Sequence, residues 1–285
     1  MARRLLPSIF LVVSACGQRH ATAPRSDGRQ TPLTIYAAKG ATGCAPLAIV
    51  SHGAGGSENG YRYLAQAFSE NGFTTIVMGH RESGLAALGS DMRASGVRAG
   101  VEQLVEDADA ERARLLDVSA ALKFAESQCN APFRVLAGHS MGAVTVMLEA
   151  GARNTIQIDS PPAGADRFDA YVALSPEGPG VVFSEHAWTG IRKPMLIMTG
   201  TRDQSLKGGP QARQVAWREL PGIPSKCQWM GVIDGATHMN FAGTGPGADR
   251  VDRLVTRTLA SFLKGVRDNA CAVPPAEAGM TLQAK

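Results

Sequence analysis

Phe133-Arg134-Val135-Leu136-Ala137-Gly138-His139-Ser140-Met141-Gly142-Ala143-Val144-Thr145-Val146-Met147-Leu148 decides the reading of this chain. A short apolar run leads into Gly-x-Ser-x-Gly, and a helical start rich in small residues follows. The order is strand, sharp turn, helix. Two glycines allow a turn tight enough to hold Ser140 strained at its apex, with its hydroxyl at the top of a sheet and a helix N-terminus behind it. The five-residue match alone is weak, because Gly and Ser are common. Its weight comes from the strand–turn–helix context and from the pieces that surround it.

Outward from this stretch, apolar runs alternate with amphipathic segments. Pro46–Ser51, Phe73–Met78, Tyr171–Ser175, Pro194–Thr199 and Gln228–Ile233 read as strands buried on both faces. Tyr61–Asn71, Asp107–Ser127, Gln211–Leu220 and Val251–Val266 read as helices. Leu33–Ala37 gives a weak edge-strand signal. This alternation predicts an α/β architecture, a mostly parallel central sheet with helices on both faces. With 285 residues, 44% of them hydrophobic, one large core is affordable. The net charge of +4 is spread along the chain without a basic block beyond the extreme N-terminus, which argues against nucleic-acid binding. The six histidines are scattered and form no metal-binding motif, and no cofactor is expected.

Three chemical groups stand where strands end. His52-Gly53-Ala54-Gly55-Gly56-Ser57 follows the 46–51 run, and its glycines let backbone N–H groups approach a developing oxyanion. Ala54 and Met141 are the expected donors, with the choice within 53–55 open by one residue. Asp203 follows the 194–199 strand in Gly200-Thr201-Arg202-Asp203. Asp169 precedes its strand and so falls at the wrong end, and Asp234 is the other competitor. His238 lies in Asp234-Gly235-Ala236-Thr237-His238-Met239-Asn240-Phe241 after the last strand. His80, with Arg81, leaves the 73–78 strand where ligands bind in open α/β sheets, and reads either as a pocket border or as a solvated loop. Pro176–Phe183 suits an acyl-pocket wall. Trp188 reads equally as pocket wall or as ordinary packing. Residues 85–104 read as a rim or lid.

The segment Gly138-His139-Ser140-Met141-Gly142 resembles the nucleophile elbow of the α/β-hydrolase superfamily, and His52-Gly53-Ala54 resembles its oxyanion loop. Within that superfamily the chain resembles the bacterial predicted dienelactone hydrolase group, which neighbours cutinase-like polyesterases and platelet-activating-factor acetylhydrolases. The resemblance spans about residues 33–266. His-x-Asn-Phe at 238–241 is similar to the acetylhydrolases, and Asp-Gly-Ala-x-His at 234–238 to the polyesterases. The chain order Ser140, Asp203, His238 is that of the superfamily. The resemblance implies a serine hydrolase that cleaves carboxylic esters through an acyl-enzyme on Ser140. Dienelactone hydrolase proper uses a cysteine nucleophile, so its lactone specificity does not transfer. Expected substrates are small-molecule, lipid or polyester esters. The alternatives are a peptidase or amidase on the same fold, and a non-catalytic binding lipoprotein.

The N-terminus begins Met1-Ala2-Arg3-Arg4, continues with an apolar run over 5–13 and ends Val13-Ser14-Ala15-Cys16. It is too short to span a bilayer. It resembles a lipoprotein signal, which implies cleavage before Cys16, lipidation of its thiol and a membrane partner through that anchor. Gly17 rather than Asp points to the outer membrane, or otherwise the periplasmic face. An ordinary secretory peptide is the other reading. Residues 1–15 are then a signal, 16–32 a flexible tether, 33–271 the hydrolase domain and 272–285 a disordered tail. Removing Cys16 from five cysteines leaves four. Three pairings are open, as are free thiols. The strand order of the fold reading favours Cys44–Cys129 and Cys227–Cys271, both at the sheet end away from the site.

Overall fold

The strand runs that read as buried on both faces are buried: Ile49, Val50, Val135, Leu136, Val172, Ala173, Leu196 and Ile197 are wholly inaccessible. The computed structural model describes residues 18–158, 167–275 and 277–285. In chain order the elements are β1 (Gln18–Pro24), β2 (Gln30–Tyr36), β3 (Leu47–Ser51), α1 (Arg62–Glu70), β4 (Thr74–Met78), α2 (Leu85–Ser95), α3 (Val97–Glu106), α4 (Ala108–Gln128), β5 (Arg134–His139), α5 (Met141–Glu149), β6 (Ala170–Leu174), β7 (Met195–Arg202), α6 (Val215–Glu219), β8 (Gln228–Thr237), α7 (Ala248–Arg267) and β9 (Met280–Ala284). They form one sheet in the order β1-β2-β4-β3-β5-β6-β7-β8-β9. The six strands from β4 to β8 are parallel, and β1, β2 and β9 are antiparallel to their neighbours.

The period of two along each strand sorts the core. Ile49 and Leu136 point to one face and pack with Leu115, Val118 and Leu122 of α4 and with Val144 and Leu148 of α5. Val50, Val135 and Ala137 point to the other face and pack with Leu64 and Phe68 of α1 and Leu259 and Phe262 of α7. Each such aliphatic or aromatic side chain contributes about 1.5–3 kcal/mol on burial. Asp107 caps α4 by accepting from the N–H groups of Asp109 and Ala110, which fixes where that helix begins. No described helix is long and apolar enough to cross a membrane.

The sheet is wider than the sequence reading allowed, at both ends. Gln18–Pro24, expected in the tether, pairs residue for residue with β2, from Gln18 opposite Tyr36 to Pro24 opposite Gln30. Only Ala23 and the adjacent Arg25 are buried there, so the strand carries little hydrophobic pattern and depends on its partner. Met280–Ala284, expected in the disordered tail, pairs with Trp229–Ile233 of β8. Lys285 then donates to the carbonyls of Trp217, Arg218 and Leu220 at the end of α6. The expected 85–104 loop is two helices packed on each other, and α2 buries no side chain. The helix expected over 211–220 is a 3-10 turn, Ala212–Gln214, followed by the short α6.

Disulfides join Cys44 to Cys129 and Cys227 to Cys271. They precede β3 and β5, and β8, and so sit at the N-terminal ends of the parallel strands. The signal segment, Cys16 and most of the 156–167 loop lie outside the described residues.

Candidate active site

Strand β5 ends at His139 and α5 begins at Met141, which leaves Ser140 alone in the turn, with φ 57° and ψ −122°. That conformation costs a non-glycine residue about 1–3 kcal/mol and persists only where the surroundings enforce it. Here they do. The Ser140 N–H donates to Leu174 O at 3.1 Å. A Cβ on Gly138 would lie 2.2 Å from Gly142 O, and one on Gly142 would lie 2.0 Å from Ser51 O. Glycine is therefore required at both positions by contact between backbones, whatever the turn's own dihedral needs.

Three side chains from three loops at the C-terminal edge of the sheet meet in a line. Ser140 Oγ donates to His238 Nε2 at 2.9 Å, and His238 Nδ1 donates to Asp203 Oδ1 at 3.0 Å. His238 opens a 3-10 turn after β8, and Asn240 Oδ1 holds that turn by accepting from the N–H and hydroxyl of Thr237. Asp203 is fully buried and its other oxygen accepts from Thr199 Oγ1 at 2.7 Å. Burial pushes its carboxyl up, but the His238 hydrogen bond and the Arg213 charge together outweigh that and hold it at about 2. Ser175 Oγ lies 2.6 Å from the same His238 nitrogen. Asp169 sits at the opposite end of the sheet, accepting from the Arg134 N–H, and Asp234 bonds the exposed Thr201 hydroxyl.

In the loop after β3 the amides on either side of Ala54 are engaged. Gly53 N–H donates to Tyr61 Oη at 3.1 Å, and Gly55 N–H donates to Ser83 O at 2.8 Å. Among the described residues, the N–H groups of Ala54 and Met141 meet no acceptor. Two N–H groups beside a serine hydroxyl, neither used by the protein, are what an oxyanion requires.

Arg114 of α4 lies under this loop. Fully buried, it donates to Thr145 Oγ1 at 2.8 Å, Ser51 Oγ at 3.0 Å, Ser83 Oγ at 2.5 Å and the His52 carbonyl. His52 Nε2 accepts the His80 N–H at 3.0 Å. Burial, with the Arg114 charge nearby, drives both His52 and His80 well below the usual imidazole range, so both are neutral. A second chain runs through the elbow. Because Tyr61 Oη accepts from Gly53, its proton goes to His139 Nδ1 at 2.8 Å, and His139 Nε2 then donates to His238 O at 3.1 Å. Burial also holds His139 well below its usual range.

Two expected pocket residues are placed elsewhere. His80 is buried and bridges Asp117 Oδ2 at 2.8 Å and Ser51 Oγ at 2.9 Å, behind the oxyanion loop. The Ser51 and Asp117 bonds turn its ring inward, and the residue borders a cleft formed with Gly56, Ser57 and Glu58. Trp188 is wholly buried against Phe183, their ring centroids 5.1 Å apart, so it is core packing. Tyr61, Arg114, His139, Ser175 and Arg213 were not read as site residues. For Arg114 a signal existed: with Glu111 and Val118 it falls on the inward stripe of α4. Among the described residues no His, Cys, Asp and Glu cluster could hold a metal ion.

No family model matches the sequence, and no curated protein matches it. Solved structures do match. Est1E from Butyrivibrio proteoclasticus superposes with a TM-score of 0.56 at 16% identity, over 86% of this chain and 99% of that one. An alpha-beta serine hydrolase homologue from Coxiella burnetii gives 0.58 at 18% identity, over 88% and 100%. A prolyl endopeptidase structure gives 0.57 at 16% identity, and there the match covers 88% of this chain but 38% of the other. The chain has the α/β-hydrolase fold. The α/β-hydrolase scaffold brings its chemistry to the C-terminal ends of the parallel strands, and in this chain Ser140, Asp203 and His238 stand there after β5, β7 and β8.

Proposed function

We propose that the chain is a serine hydrolase acting on carboxylic esters through an acyl-enzyme on Ser140. The reading is carried by the Ser140–His238–Asp203 line, with its 2.9 and 3.0 Å contacts, beside the unengaged amides of Ala54 and Met141. His238 Nε2 takes the Ser140 proton as Oγ attacks the carbonyl carbon. The oxygen gathers negative charge and receives the Ala54 and Met141 N–H groups. His238 returns the proton to the leaving alcohol as the C–O bond breaks. Water then repeats the cycle on the acyl-enzyme, assisted by the same imidazole. Asp203, anionic throughout the working pH range, holds the His238 tautomer and offsets the imidazolium charge.

The proposal extends to location. The lipobox-like Val13-Ser14-Ala15-Cys16 and two disulfides fit an exported, lipid-anchored enzyme in an oxidising compartment. Hydrolysis of p-nitrophenyl esters from acetate to palmitate, with Ser140→Ala alongside, tests the reaction. The expected result is turnover by the wild type and a loss of about 10⁴-fold or more in kcat for the variant. Turnover retained in Ser140→Ala would reject the assignment. Cleavage of prolyl or other amide substrates without any ester would favour a peptidase.

A further inference from the structure

Arg213 lies in the 3-10 turn Ala212–Gln214 and is 3% exposed. Its guanidinium faces two carboxylates. Nε is 2.7 Å from Asp203 Oδ1, and Nη1 is 3.3 Å from Glu177 Oε1. Nη1 also donates to the carbonyls of Ser175 and Pro176, both at 3.0 Å, and Nη2 donates to Gln204 O at 2.6 Å. One side chain thereby ties the loop after β6 to the loop after β7. Glu177 is itself fixed, accepting from Ser205 Oγ and the Leu206 N–H, both at 2.9 Å.

The oxygen that receives His238 Nδ1 is the oxygen that touches Arg213. Behind the imidazole there is therefore a buried row of alternating charge: Asp203, Arg213, Glu177. The other groups facing His238 are Ser140 and Ser175, which are neutral, and His139, whose ring centroid is 4.7 Å away. His139 is locked neutral by its bonds to Tyr61 Oη and His238 O. The row thereby places alternating charge directly behind His238. An arginine that served only to join loops would need the carbonyl contacts alone. This one also sets its charge against the Asp203 carboxylate, with Nε 2.7 Å from Oδ1 and no hydrogen bond formed there.

We infer that Arg213, with Glu177 behind it, is a positioning residue that holds Asp203 in place for His238. The inference rests on the serine-hydrolase reading above. A cation beside Asp203 opposes a second positive charge nearby, so removing it is expected to move the pH dependence of the reaction upward. Glu177 tempers that effect by partly neutralising Arg213.

The test is the pH profile of kcat/KM for a p-nitrophenyl ester, together with the pH profile of the rate at which a fluorophosphonate labels Ser140, in the full chain. In Arg213→Gln the acid limb moves up by roughly 0.5–1 pH unit. In Glu177→Gln it moves down, by a smaller amount. Arg213→Lys keeps the limb close to wild type while kcat falls several-fold, because an ammonium cannot reproduce the fork. Circular dichroism reports whether each variant is folded. A uniform loss of rate with unmoved limbs in both glutamine variants would overturn the inference and leave a structural role. If Arg213→Gln fails to fold, the direction in Glu177→Gln decides: an unmoved or upward limb overturns it. Labelling of the wild type without ester cleavage would sink the ester reading, and the labelling profiles would still judge Arg213. Neither labelling nor cleavage would reject both.

Discussion

Two buried arginines flank the Ser140–His238 pair, and they do different work. Arg114 stands under the oxyanion loop on a long helix and spends its donors on neutral oxygens: two serine hydroxyls, a threonine hydroxyl and the His52 carbonyl. Arg213 stands behind the acid on a short turn and places Nε against a carboxylate. Arg114 fixes shape, because the backbone it grips carries the Ala54 amide. Arg213 places charge, because its partner is the buried carboxylate bonded to His238. A buried guanidinium can thus serve geometry on one side of a site and electrostatics on the other.

The acid side breaks hardest. Asp203→Asn removes the anion that both His238 and Arg213 address, and kcat should fall by about 10⁴-fold with KM little changed. A loss below tenfold, read from steady-state kinetics, would mean that another acid holds His238. The oxyanion side comes next. Arg114→Met frees the His52 and Ser83 anchors, and misplacing one oxyanion donor costs about 10²–10³ in kcat. The acid limb should stay where it is, unlike that of Arg213→Gln. A limb that moved with Arg114 would erase the distinction between the two arginines.

The smallest effect sharpens the comparison through stability. Glu111 is fully buried on α4, one turn before Arg114, and burial pushes its carboxyl up to about 8 against the pull of that arginine. The folded chain therefore keeps a proton that the unfolded chain releases near 4.5. Wild-type stability should decline as pH rises between those values and level off above them. Glu111→Gln has no such proton to lose, so it should gain on the wild type by about 2–4 kcal/mol between pH 5 and pH 8.5. Urea unfolding at the two pH values measures the difference. A gain that is equal at both would place the Glu111 charge outside the energetics of the oxyanion side.

The parallel sheet and the places of Ser140, Asp203 and His238 at its C-terminal edge were legible because their signals are local. Strands buried on both faces must be apolar throughout, and Asp203 and His238 are recognisable as an acid and a histidine just past such strands. The edge strands were not: Gln18–Pro24 carries little apolar pattern and is held by a neighbour's backbone, while the alternation of Met280, Leu282 and Ala284 is too short to stand out. The supporting charges were hidden for a related reason. Arg213 and Glu177 look like surface residues in sequence, and only the folding together of the β6 and β7 loops buries them against one another. His80 and Trp188 sit at the right edge of the sheet, but which way a side chain turns is decided by partners far along the chain, Asp117 and Phe183.

The account turns on Ser140 being a nucleophile activated by His238. The most direct measurement is the intact and peptide mass spectrum after brief exposure to a fluorophosphonate, for the wild type and for His238→Ala. A single adduct on the Ser140 peptide in the wild type, slowed by about 10³-fold or more in the variant, is the predicted result. No adduct, or labelling of Ser140 at an unchanged rate without His238, would contradict it.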